Sequence, residues 1–389
     1  MSKKFLAVAI AGALAVPAAA FAQSGTTISG YVIMSVDNVK ITRPALGRGQ
    51  TSEWRLNDES SRINFDARED IGALGTGLVH LETTPNPDTG TIGLGGTSYI
   101  GVATRSAGRF AVGRFGYHFK APDDGYGLSQ SLKVHPSSLI EFAGGGKVPM
   151  LNATRTANML QWSSPKWGGF AIDVGYSFNP GGSGAPEADL TAGNTARKGR
   201  AWVVNPTFTA TNWSIAYLRW DGKTDAPASP GLLAAGDTRT SGTTGLPVRD
   251  DQRKDSLYGY YKLAAVKIGF LWDKSRLTNP LTGAEVSNRN AWTIPIHYTA
   301  GNHHLLAHYT KARDDTATAA QDGAKMWSVG YAHTLSKRTS VSVSYAKLDN
   351  DPGAAYEGYT VAGGLGSVNA GTLRGEGQRF LTTGVRHNF

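Results

Sequence analysis

The sequence ends in Leu381-Thr382-Thr383-Gly384-Val385-Arg386-His387-Asn388-Phe389. Leu381, Thr383, Val385, His387 and Phe389 alternate with Thr382, Gly384, Arg386 and Asn388. Successive side chains of a strand point to opposite sides, so the stretch reads as a strand with one apolar and one polar face. Working outward from it, the same period of two recurs along the chain. Ile28, Gly30, Val32, Met34 and Val36 stand against Thr27, Ser29, Tyr31 and Ser35, and Ile63, Phe65 and Ala67 against Arg62, Asn64, Asp66 and Arg68. Phe170, Ile172, Val174 and Tyr176 repeat it, as do Ile268, Phe270 and Trp272, and Val341, Val343 and Tyr345.

Alternation alone fits a soluble sandwich or a transmembrane barrel, and two features select the barrel. Aromatic residues sit at the ends of apolar faces, as Trp162, Tyr176, Phe178, Trp292, Tyr298 and Tyr309 do, which is how an interfacial girdle reads in sequence. Connections also alternate in length. Short turns fall near residues 69–75, 105–108, 164–168, 209–212, 264–265, 299–302 and 335–338. Between them lie long polar stretches at 37–60, 84–96, 115–156, 179–199, 221–255, 276–290, 311–324 and 349–378. That rhythm gives an all-β fold, a transmembrane antiparallel β-barrel of about sixteen strands. Pro295 interrupts a good strand and reads as a bulge or local defect.

Composition agrees. The mean hydropathy is −0.27, and beyond the amino terminus no run is apolar enough for a membrane helix. Without cysteine, neither disulfides nor thiolate metal sites hold the chain. At the amino terminus, Lys3 and Lys4 precede an apolar segment ending in Ala20-Phe21-Ala22, the pattern of a cleaved signal peptide over residues 1–22. Residues 23–389 then form a single barrel domain.

Over essentially this whole length the chain resembles the trimeric general diffusion porins of Gram-negative outer membranes, in particular their β-proteobacterial branch. The resemblance is carried by Ser29-Gly30-Tyr31, Ser61-Arg62-Ile63-Asn64-Phe65, Glu69-Asp70-Ile71-Gly72 and Val112-Gly113-Arg114. Ser164-Pro165-Lys166-Trp167-Gly168-Gly169-Phe170 and the ending Gly384 to Phe389 complete it. It implies a homotrimer of sixteen-stranded barrels, each narrowed by a long third external loop folded into the lumen, here about residues 115–156. It also implies that Phe389 is the aromatic signal read by the barrel-assembly machinery.

The resemblance further implies a constriction. Ser137 to Gly145 is similar to the family's constriction segment, with Glu141 as the pore carboxylate and Lys147 close behind; Ser137 stands where enterobacterial relatives carry a second carboxylate. Arg62, Arg114 and Arg155 match the arginines of the facing wall. Strand parity points Arg62 to the lumen. Parity from Phe110 and Val112 points Arg114 to lipid, where a guanidinium costs about 2–4 kcal/mol at the midplane, and a bulge at Gly113 is the device that would turn it inward.

Cleavage removes two of the 39 basic residues, leaving 37 against 30 acidic. Basic rings favour anions in a water-filled pore, so the expected function is passive diffusion of small hydrophilic solutes and ions with a weak to moderate anion preference. External basic residues (Arg197, Lys198, Arg200, Arg249, Arg253 and Lys254) are read as solvated or bound to lipopolysaccharide. Outer-membrane lipid and small anions are the other expected partners; nucleic acid is not, and no cofactor is expected. A substrate-specific channel would carry aromatics on the lumen parity, whereas most here fall on the lipid parity. A barrel enzyme would need a Ser–His or Asp–His constellation that nothing singles out. Ala143 to Lys147 lacks the spacing of a phosphate loop. His303, His304 and His308 share a strand, but only His304 and His308 share a face, short of a metal site.

Overall fold

The alternating stretches form strands that each pair antiparallel with the next, and the last returns to the first. The computed structural model describes residues 25–58, 61–93, 96–117, 155–178, 180, 200–223, 251–279, 282–358 and 373–389. Its strands are β1 (Gly25–Thr42), β2 (Ser52–Asp58), β3 (Arg62–Asp70), β4 (Thr76–Asn86), β5 (Thr91–Gly93), β6 (Ser98–Thr104), β7 (Gly108–Gly116), β8 (Arg155–Ser163) and β9 (Phe170–Ser177). They continue as β10 (Arg200–Thr209), β11 (Trp213–Lys223), β12 (Asp251–Leu263), β13 (Val266–Thr278), β14 (Glu285–Ala300), β15 (His303–Ala312), β16 (Ala324–Thr334), β17 (Thr339–Asn350) and β18 (Gly377–Asn388). β2 and β3 pair in succession along β1, and β5 and β6 along β4, so the eighteen segments build sixteen barrel strands. The residue range of the signal peptide lies outside the described residues.

β1 pairs with β3 on one side and β18 on the other, which closes the sheet. Closure matters energetically, since an open edge in hydrocarbon would leave backbone donors and acceptors unpaired. The seam is tight. Gly30 and Phe389 exchange backbone hydrogen bonds of 3.2 and 3.0 Å, and a Cβ on Gly30 would collide with the Arg62 carbonyl and the Phe389 ring. Only glycine permits that approach.

The seven expected short turns all lie at the end where β1 starts and β18 stops, the periplasmic side of such a barrel. Several stretches expected as loops are instead strand. β1 runs on to Thr42 and β2 pairs with it, the 84–96 stretch is largely the β4–β5 hairpin, and only residues 279–284 separate β13 from β14. Polar alternation continues past the membrane because hairpins there need no apolar face.

The prolines show how backbone donors are replaced. Pro206 lies opposite Tyr217 and has no N–H to offer, and the Asn205 side chain donates to the Tyr217 carbonyl instead, at 2.9 Å. At Pro295 the register toward β13 stays constant while the ladder skips Gly269 and Phe270. It is a gap in pairing without a bulge; the register shift of that pair lies at Leu277/Thr278.

Candidate functional site: the barrel lumen

Strand parity divides the wall. On β1, Ile33, Ser35, Asp37 and Val39 point inward and are buried, while Ile28 and Val36 point outward and are exposed. The inward face is not uniformly polar. Toward the long-loop end it carries apolar side chains, among them Phe115, Met159, Trp220, Met326, Leu348 and Phe380, a band that the alternation did not announce. Trp220 is anchored there by donating from Nε1 to Thr156 Oγ1 at 2.9 Å.

Nearer the short turns the wall is charged. Arg62 opens β3 on the inward parity, opposite Tyr31 of β1. Its Nε lies 3.0 Å from Glu82 Oε1, and its Nη1 donates to the Ser61 carbonyl at 2.9 Å. Arg386 of β18 covers the other side of Tyr31, its guanidinium carbon 4.1 Å from the ring centroid. Two arginines thus flank one tyrosine across the closure seam. Farther round, His80 bonds Asp66 at 2.8 Å and stacks on Tyr99, which stacks on Phe115, both at 5.3 Å between centroids. Arg109 donates to Tyr99 Oη at 3.1 Å and to Ser163 Oγ at 3.0 Å. Toward the long-loop end of the far wall, opposite Trp220, Lys254 and Asp273 are both 2% exposed and 3.7 Å apart, with Ser256 and Ser275 donating to the carboxylate at 2.6 and 3.0 Å. Buried charges kept in this way are paired and hydrogen-bonded.

The expected site residues fare differently. Arg62 stands on the lumen wall as read. Arg114 lies opposite Ser98 with the parity of Phe110 and Val112, so register keeps it on the outward set. A bulge does occur between Gly113 and Phe115, but the extra residue is in β8, where Asn158 has φ +51°. It therefore shifts β8 and leaves Arg114 in step with β6. Arg155 opens β8 opposite Gly116, while its side chain, and Glu141 and Lys147 altogether, lie outside the described residues. Lys254, expected on an external loop, is an inward strand residue, and Arg253 beside it points outward to Asp221 at 3.0 Å. His304 faces inward to Thr334, while His303 faces outward to Tyr331, which splits the histidines between two faces. Among the described residues no group of three or more His, Asp or Glu is placed to hold a metal. Tyr31, Glu82 and Arg386 are site residues that sequence reasoning missed. Tyr31 and Arg386 already stood on the polar parity, but only the closure register brings them to Arg62.

A closed barrel with an apolar exterior and a lumen lined by ion pairs defines a membrane-spanning channel. Residues 7–353 match the model of the Gram-negative porin family, and the chain belongs to that family, a porin of the outer membrane. Over 395 residues, covering all of both chains, it is 24% identical to outer membrane porin protein 32 of Delftia acidovorans. In fold it is similar to the anion-selective porin from Comamonas acidovorans, with a TM-score of 0.68 at 20% identity over 94% of this chain and 100% of that one. The trimer form of OmpT from Vibrio cholerae is similar at a TM-score of 0.62 and 14% identity, over 94% and 100% of the two chains.

Proposed function

We propose that the mature chain, exported by a signal peptide over residues 1–22, forms a homotrimeric general diffusion channel with weak anion preference. The observation that carries the reading is the Arg62–Tyr31–Arg386 group on the lumen wall. Weakness is expected because acids interleave with the bases on the described inner wall: Glu82 faces Arg62, Asp173 lies opposite Ser163, to which Arg109 donates, and Asp273 faces Lys254. The surplus cations that tip the balance are assigned to Arg155, on the wall facing Glu141 of the 115–156 loop, and to Lys147, close behind Glu141, which weakens that acidic edge. Arg114 is left out because its register is outward. A relative described as anion-selective supports the sign.

Three further parts of the reading rest on the outer wall and the termini. From β3 through β7 the outward face carries no Trp or Tyr among the described residues. It holds instead a concavity of about 680 Å³ lined by Val79, Ile100, Val102, Val112 and Leu160, the surface assigned to contact between subunits. The remaining circumference is assigned to outer-membrane lipid, lipopolysaccharide included. Phe389, at the closure seam, is assigned as the signal to the barrel-assembly machinery.

Reversal potentials in a potassium chloride gradient test the pore. The wild type should reverse on the chloride side. Replacing Arg62, Lys147 and Arg155 by Gln should move the potential toward that of potassium, and an unchanged potential would sink the assignment.

A further inference from the structure

Register turns the outer ends of five strands into a cationic belt. Lys311 stands directly opposite Lys325, and Lys347 opposite Arg379, which in turn stands opposite Lys40. All lie on the outward parity at the long-loop end, and Lys40, Lys311, Lys325 and Arg379 are exposed. Among the described residues only Lys347 meets a carboxylate, Asp349 at 2.9 Å, and that carboxylate also serves Arg43 at 3.6 Å. Like charges directly opposed on a sheet destabilise it unless an anion lies between them.

The surroundings name the anion's carrier. Trp292 lies opposite Lys311, and Trp327 opposite Lys347. These tryptophans pair with Tyr309 and Tyr345, each at 5.4 Å between centroids. Toward the midplane follow Ile294, Ile296, Val329, Val343 and Leu381, all exposed. From midplane outward the surface runs hydrocarbon, aromatic, cation. A lipid presents acyl chain, interface and phosphate in the same order. Solvated lysines need no such layering. Across β3 to β7 the described outward residues include one cation at the long-loop end by register, Arg114, and no directly opposed pair, although that face is equally apolar.

We propose that the belt of Lys40, Lys311, Lys325, Lys347 and Arg379 binds the phosphate-bearing headgroup of lipopolysaccharide in the outer leaflet. This deepens, and rests on, the lipid-facing assignment above.

The test compares the purified full-length mature porin with the Lys311→Gln/Lys325→Gln/Lys347→Gln/Arg379→Gln variant. Each is incubated with lipopolysaccharide micelles, and the lipid retained per porin after gel filtration is counted. The variant should retain about tenfold less, since each surface cation contributes to attraction of an anionic leaflet. Its conductance should equal that of the wild type, because no lumen residue is changed. The two double variants, Lys311→Gln/Lys325→Gln and Lys347→Gln/Arg379→Gln, should each lose part of the binding and stand in should the fourfold variant fail to fold. Lys166→Gln/Lys337→Gln, in short turns, should retain the full load. Unchanged retention in the variants, or equal retention of dephosphorylated lipopolysaccharide by the wild type, overturns the proposal. Loss of channels in the wild type would instead overturn the porin reading, so the two failures are distinguishable.

Discussion

Two arcs of the same barrel wall are built from one alternating pattern and meet different surroundings. From β3 to β7 the outward residues are Ile63, Phe65, Leu81, Ile100 and Val112, with glycines between them and a groove across the face. From β13 to β18 the outward residues form aromatic pairs with a cationic row beyond them. Both arcs are apolar at the midplane, so hydrocarbon alone does not explain the contrast. Trp and Tyr are of use where a side chain must sit between acyl chains and headgroups. An arc without them, and with a concave surface, suits another protein. The arcs meet at β1, where the seam must fit tightly at the short-turn end and hold its loops at the other.

The largest effect is expected at that seam. Gly30→Val should fail to close, because the new side chain would occupy the space of the Arg62 carbonyl and the Phe389 ring. The yield of folded barrel, read as the band that shifts on heating in detergent gels, should fall by about tenfold or more. Normal yield would show that the seam relaxes, and that the arcs are less rigidly joined than the register implies.

The next tests set the arcs against each other. Ile100→Lys, in the groove, should dissociate the trimer while leaving the monomer barrel folded. Ile296→Lys, on the aromatic arc, should leave the trimer intact and cost about 2–4 kcal/mol of barrel stability in lipid. Both residues are exposed in the single chain, at 59% and 42%, so burial within the protomer does not bias the comparison. If the two variants behave alike, the contrast between subunit-facing and lipid-facing arcs is wrong.

Much of this was legible in the sequence because the signals are local. Period-two alternation and turn chemistry fixed the strands and all seven short turns, and each depends on only a few neighbouring residues. What was not legible depends on register between distant strands. Residues 31, 62 and 386 form one group only because β1 pairs with both β3 and β18. The lysines at 311 and 325 look like scattered surface charge until they are found directly opposed. At Arg114 a bulge was expected at Gly113; it occurs there but inserts its residue in β8, so the backbone parity of β7 is unbroken. The apolar inner band was missed since alternation marks faces without saying what an inward face must hold.

The smallest expected effect lies at the other end of the seam. Glu376, just before β18, has a fully buried side chain and accepts hydrogen bonds from Arg48 Nε at 2.6 Å and from the Ala45 and Leu373 N–H groups at 2.8 Å each. It ties the connection after β1 to the approach of β18. Burial alone would push the carboxyl up, but the Arg48 hydrogen bond, the two backbone donors and the Arg48 charge together hold it below the usual carboxylate value. A carboxyl depressed in the folded state stabilises it above the unfolded value, and that contribution fades as pH falls through the lower folded value. Protection of the Ala45 and Leu373 amides from hydrogen exchange, corrected for intrinsic rates, should therefore be constant near neutrality and decline in acid below the ordinary carboxylate range. Glu376→Gln should lower that protection by about 1–3 kcal/mol at neutral pH and flatten its acid dependence. Because the lock spans the seam outside the membrane, pore conductance should not change. Parallel pH profiles for wild type and variant would mean that the two arcs are joined by the β1–β18 ladder alone.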